Sequence, residues 1–120
     1  MKKMASVQDV IEKFNAADGS IRATFPKVDP RLVVGLVFDR YANQQNIYTL
    51  DVILKPGQDT EAIRQAVMNK TGMSPGFYLN GTKMIVSHML DLEFLKWIND
   101  QDGIVSIKGS RHGAGGSTDF

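Results

Sequence analysis

Between residues 47 and 109 the apolar residues change period repeatedly, from two to about 3.6 and back, and that succession constrains the fold more than any other feature of the chain. Tyr48, Leu50, Val52 and Leu54 alternate with Thr49, Asp51 and Ile53, which predicts a strand with one buried face. Lys55-Pro56-Gly57 ends it. Asp59 or Thr60 is placed to cap a helix whose buried stripe is Ile63, Ala66 and Val67 and whose stop is Gly72. Phe77-Tyr78-Leu79 and Thr82 to Val86 flank Asn80-Gly81, a pair that tolerates the positive φ angles of a type I′ hairpin turn. Asp91 then caps a helix with Leu92, Phe94, Leu95 and Ile98 on one face, ending near Gln101, and Ile104, Val105 and Ile107 supply a last strand.

Strand, helix, strand, strand, helix, strand is the order of the ferredoxin-like βαββαβ sandwich, and this is the fold expected for residues 47 to 109. Upstream, Ser6 with Asp9 three residues later opens a one-faced helix over residues 6 to 17, built on Val7, Val10, Ile11 and Phe14 and stopped by Asp18-Gly19. Residues 20 to 31 hold Pro26 and Pro30 and read as a connector, with a short extended piece at Ile21 to Phe25. The continuous apolar run Leu32-Val33-Val34-Gly35-Leu36-Val37-Phe38 reads as an additional strand over 32 to 41, with two layouts open: a long hairpin with the next strand that displaces the last strand to another edge, which is preferred because sequential strands usually neighbour one another, or a place at an outer edge of the sheet. The expectation is therefore one α+β domain over residues 1 to 109. It has an antiparallel sheet of about five strands, two helices on one face and the N-terminal helix on the other face or the edge. Residues 110 to 120, rich in Gly, form a flexible tail.

At 120 residues the chain can bury a core without a disulfide or metal, and it has no Cys to make either a disulfide or a thiolate site. The 14 basic residues nearly balance 13 acidic ones, so no general field attracts nucleic acid or an anionic membrane. No apolar run reaches the roughly 18 residues of a membrane span. The beginning Met1-Lys2-Lys3-Met4-Ala5 leads into polar residues with no apolar signal core, so a soluble, cytoplasmic chain is expected.

The two histidines, His88 and His112, are the neutral-pH acid–base groups. His88 falls at a strand end, where a ring satisfies neighbouring backbone groups, and His112 falls in the Gly-rich tail, so no catalytic set is expected. Two separated His and scattered acids give no metal-ligand spacing, and no cofactor is expected. The segment Gly109 to Ser117 has neither of the phosphate-loop spacings and no helix after it. Single-stranded RNA binding is a minor alternative, because Lys83-Met84-Ile85-Val86-Ser87-His88 carries no stacking aromatic.

The primary expectation is a non-enzymatic interaction or adaptor module that binds another protein or itself. Trp97, rotated off the inward stripe of its helix, is one candidate anchor. Arg40, Tyr41 and Tyr48, beside the expected hairpin, are candidates at a free sheet edge. Leu54-Lys55-Pro56-Gly57-Gln58-Asp59 resembles the Pro-Gly turn of the ACT domain, a ferredoxin-like regulatory module. The resemblance implies a homodimeric, small-ligand-sensing domain with Lys55, Gly57 and Asp59 at the ligand site.

Overall fold

A computed structural model describes residues 6–113 and 116–119, with side chains described as far as Arg111. Its elements in chain order are α1 (Val7–Thr24), α2 (Pro30–Tyr41), β1 (Ile47–Leu54), α3 (Thr60–Thr71), β2 (Gly76–Tyr78), β3 (Lys83–Met89), α4 (Leu92–Asn99), β4 (Ile104–Gly113) and β5 (Gly116–Asp119). Four strands form an open sheet in the order β2-β3-β1-β4, each neighbour antiparallel, and β5 pairs back onto the end of β4. The class is α+β.

Alternation along β1 sends Tyr48, Leu50, Val52 and Leu54 to one face, where all four are buried. The register places Met84 and Ile107 beside Val52, and Val86 and Gly109 beside Leu50. Leu32, Val33 and Leu36 of α2, Val67 of α3 and Leu95 and Ile98 of α4 join these residues in a single core cluster. All three helices therefore cover this one face. Gly109 marks the closest approach: a Cβ there would lie 3.0 Å and 3.1 Å from the two Leu32 methyls and 3.1 Å from a Leu50 methyl.

The strand expected at 32 to 41 is helix α2, and the reason lies just upstream. Asp29 is its N-cap, accepting from the Arg31 N–H at 3.0 Å, and Pro30 occupies the first turn, where a missing N–H costs nothing. The apolar run then divides by helical period: Leu32, Val33 and Leu36 face the sheet, while Val37, Phe38 and Tyr41 face out. No hairpin joins 32–41 to β1, and β4 keeps its place beside β1.

α1 also departs from expectation, running through Asp18-Gly19 to Thr24, so 20–24 is helical and the connector shrinks to 25–29. A mid-helix Gly costs only about 1 kcal/mol, and the Asp18–Arg22 pair at 3.0 Å spans the site. The capping box of Ser6 and Asp9 starts the helix as expected. α1 adjoins α2, and none of its side chains is fully buried. The radius of gyration, 16.5 Å, accordingly exceeds the about 14 Å of a compact chain of this length.

The caps Asp59 and Asp91 and the left-handed stop at Gly72 stand where the sequence placed them, and α4 ends at Asn99. The hairpin turn is shifted by one residue. Leu79 and Asn80, both near φ +55°, take its centre, with the Gly81 N–H bonded to the Tyr78 carbonyl at 3.1 Å. Residues 110–113 extend β4 and 116–119 form β5; residues 114, 115 and 120 of the expected tail lie outside the described residues. Among the described residues no helix is long and apolar enough to cross a membrane.

Candidate functional site

The apolar surface left outside the core is concentrated on α1 and α2. The α1 stripe of Val7, Val10, Ile11 and Phe14 follows helical spacing yet is exposed, Val7 by 77% and Phe14 by 61%. Only farther along does Ile21 pack against the core. On α2 the outward residues are Val37, Phe38 and Tyr41, with Phe38 exposed by 67% and Tyr41 by 91%. Gln8 and Glu12 pair off this stripe, while the Asp18–Arg22 pair continues it past Phe14 along the same side of the helix. On both helices the exposed apolar residues follow one another at helical spacing and are not scattered singly.

A second feature is a groove of about 250 Å³ between α3 and α4, floored by Ala62 and Ala66 and walled by Ile63, Trp97 and Ile98. The small residues of α3 open the space that Trp97 borders. Lys70 lies 5.1 Å over the indole, and Phe94 stacks at 5.5 Å on its core side, so the ring is fixed between a cation and an aromatic neighbour. Gln58, from the β1–α3 turn, closes one mouth of the groove. Of that turn only Gln58 lines the groove with Trp97; the expected ligand residues Lys55, Gly57 and Asp59 do not. Lys55 and Gly57 are exposed, and Asp59 is committed to the α3 N-cap, accepting from the Ala62 N–H at 3.1 Å.

Arg40, Tyr41 and Tyr48 do not share a sheet edge. Arg40 and Tyr41 end α2; Arg40 donates to both Glu93 oxygens, at 2.6 and 2.8 Å, and the hydrogen bond holds the Glu93 carboxyl below its usual value. Tyr48 is fully buried and is removed from any surface role, because alternation puts it on the core face. Its hydroxyl donates to Asp39 Oδ2 at 2.7 Å, and Arg111 lies 3.5 Å from Asp39 Oδ1. Burial first, then the bond to Asp39, pushes the Tyr48 phenol well above its ordinary value. The register aligns His88, Tyr48 and Arg111 across three strands, making one polar row at the end of the core face.

His88 stands over Phe94 edge to face at 4.7 Å, with Nδ1 2.9 Å from the Met89 carbonyl. That contact makes Nδ1 the protonated nitrogen, since a carbonyl only accepts. Nε2 is buried with no hydrogen-bond partner, and desolvation lowers the ring's pKa. His88 therefore sits as a neutral ring packed under α4. It does not line the polar depression that Asp39, Arg40, Gln44, Met89 and Glu93 border nearby. The His112 side chain lies outside the described residues.

Among the described residues no three His, Cys, Asp or Glu side chains come together to hold a metal. The second face of the two central strands carries Thr49, Asp51 and Ile53 on β1 and Lys83, Ile85 and Ser87 on β3, so it offers no aromatic platform for bases. Two sheet edges remain to be placed. β4 is closed on its outer side by β5 and by the connector, where Ile107 donates its N–H to the Lys27 carbonyl and accepts from the Asp29 N–H, on either side of Val28. β2 is an edge of three residues. Neither is a long free template for strand addition.

Searches of protein-family models, curated proteins and solved structures find no match to this chain.

Apart from Tyr41, the apolar face of α1 and α2 is hidden in the sequence for two reasons. The stripe Val7, Val10, Ile11 and Phe14 was legible as helical, but amphipathicity alone implies burial within the same chain. The outward residues Val37, Phe38 and Tyr41 were assigned to a strand. Asp29-Pro30 was the signal that would have corrected the second.

Proposed function

We propose that the protein is a non-enzymatic interaction module that binds another protein chain through the apolar face of α1 and the outward face of α2. The observation carrying this reading is that Phe14, Phe38 and Tyr41, the largest apolar side chains on those helices, contribute nothing to the core. Exposing them costs solubility with no return in stability, which a contact surface explains. We further infer that residues 47 to 109 form a ferredoxin-like unit carrying α1 and α2 as an addition. Its support is the strand order β2-β3-β1-β4 with α3 and α4 as crossovers.

The double substitution Phe14→Ser/Phe38→Ser tests the reading. In dilute solution its unfolding free energy should stay within about 0.5 kcal/mol of the parent, as for surface substitutions, while association at higher concentration or with a partner is lost. A loss of more than about 2 kcal/mol in dilute solution would place these rings in the chain's own core and end the proposal.

The groove beside Trp97 favours a second reading, an ACT-like ligand-sensing domain with the ligand held between Trp97 and Gln58, next to the turn of Lys55, Gly57 and Asp59. A thermal-shift screen of amino acids and nucleotides decides it. Stabilisation that Trp97→Ala removes supports it, and a flat screen at millimolar ligand overturns it.

A further inference from the structure

Resting on the proposed contact surface, we propose that its partner is a second copy of this chain, and that the two copies exchange arms: the α1 stripe of each lies on the outward face of the other's α2.

Both halves of such an interface are present on one molecule and are matched in size. From their fractional exposures, Val7, Val10, Ile11 and Phe14 leave roughly 400 Å² to water, and Val37, Phe38 and Tyr41 leave about the same, so reciprocal docking makes at most roughly 800 Å² per copy available for burial, against about 800 Å² per partner in a standard interface. Pairing α1 with α1 alone would cover only half of that and leave Phe38 and Tyr41 in solvent. The exchange is isologous, with each surface used once on each copy, so it closes at two chains instead of growing into a filament.

The shapes agree with the area. The α1 ridges 7/11 and 10/14 and the α2 ridge 37/41 are all rows of i, i+4, the rows that interdigitate when helices cross. The exposed cations of α2 do not interfere with this packing, since Arg31 is paired with Asp29 and Arg40 with Glu93 of the same chain. Covering its own α2 is not what α1 does, because Phe14 and Phe38 are both exposed within one chain.

The chain contains no cysteine, which allows a direct test by single-cysteine variants of the full chain. Val10→Cys and Phe38→Cys proteins, each checked for parental circular dichroism, are mixed and oxidised. The proposal expects the Val10→Cys/Phe38→Cys mixed disulfide to form at least tenfold more than either self-disulfide, and sedimentation of the parent to give twice the 13.3 kDa chain mass. Predominant Val10→Cys self-disulfide would mean direct pairing of the two α1 helices and would overturn the exchange. A monomeric parent at 100 µM or so would also overturn it, while leaving the interaction reading to stand or fall on the Phe14→Ser/Phe38→Ser stability result.

Discussion

Replacing Tyr48 by Phe removes a single oxygen from the polar row at the end of the core, and its cost can be worked from the geometry. The hydroxyl is buried and donates at 2.7 Å to a carboxylate that is itself only 6% exposed. Hydrogen bonds to charged groups contribute about 1.5–3 kcal/mol, and the phenyl ring keeps its packing, so the loss should be about 2 kcal/mol. Asp39 retains Arg111, at 3.5 Å, which keeps its charge from being wholly uncompensated. The same bond gives a signature at high pH. Tyr48 is held protonated in the folded state by burial and by Asp39, whereas an unfolded tyrosine ionises near pH 10. The unfolded state therefore releases the proton first, and the stabilisation is complete below pH 10 and declines above it. By pH 11 the parent should have lost about 1.4 kcal/mol more than Tyr48→Phe. Urea unfolding followed by circular dichroism at pH 7 and at steps to pH 11 measures both quantities. A double-mutant cycle with Asp39→Ala isolates the pair, whose coupling should be about 2 kcal/mol. Additive single effects together with parallel alkaline profiles would refute the reasoning.

Two further perturbations probe the core next to this row. His88 is neutral in the fold because burial lowers its pKa, so the unfolded state takes up the proton first as pH falls. Its stabilisation is full above about pH 6.5 and is lost as pH drops toward the folded value; NMR titration should show the His88 ring protonating below that pH, and a midpoint at or above 6.5 would contradict the desolvation argument. Gly109→Ala puts a methyl within 3.0 Å of Leu32, and overpacking of this size costs about 1–3 kcal/mol. Adding Leu32→Val should recover part of the loss in urea unfolding, and no recovery would show that Leu32 is not the obstacle.

The parts of the fold legible in the sequence are those set by local chemistry in which one residue type has one structural use. Asp59 and Asp91 before apolar stripes, Gly72 after one, and strict alternation through β1 each admit a single geometry. Apolar runs are different, since burial alone does not say which period the backbone follows. Leu32 to Phe38 is rich in β-branched residues and reads equally as a covered strand or as a helix apolar on two sides. The tertiary setting decides: residues 47–54 already have β3 and β4 as neighbours, so no edge of β1 is left for another strand.

The candidate site was obscure for the same reason. A helix apolar on both sides needs two surfaces to cover it, and α2 finds only one within its own chain, the sheet beneath Leu32 and Leu36. α1 has an apolar stripe of which no residue is fully buried. Each helix thus carries an excess of apolar surface that the other would fit, yet within one chain they meet without covering Phe14 or Phe38. The three-helix layer over β1 is complete without them, so substitutions on these outward faces should change what the protein associates with before they change whether it folds. That separation between a self-sufficient core and a paired surplus of apolar helix surface is the physical basis for reading α1 and α2 as the working part of the molecule.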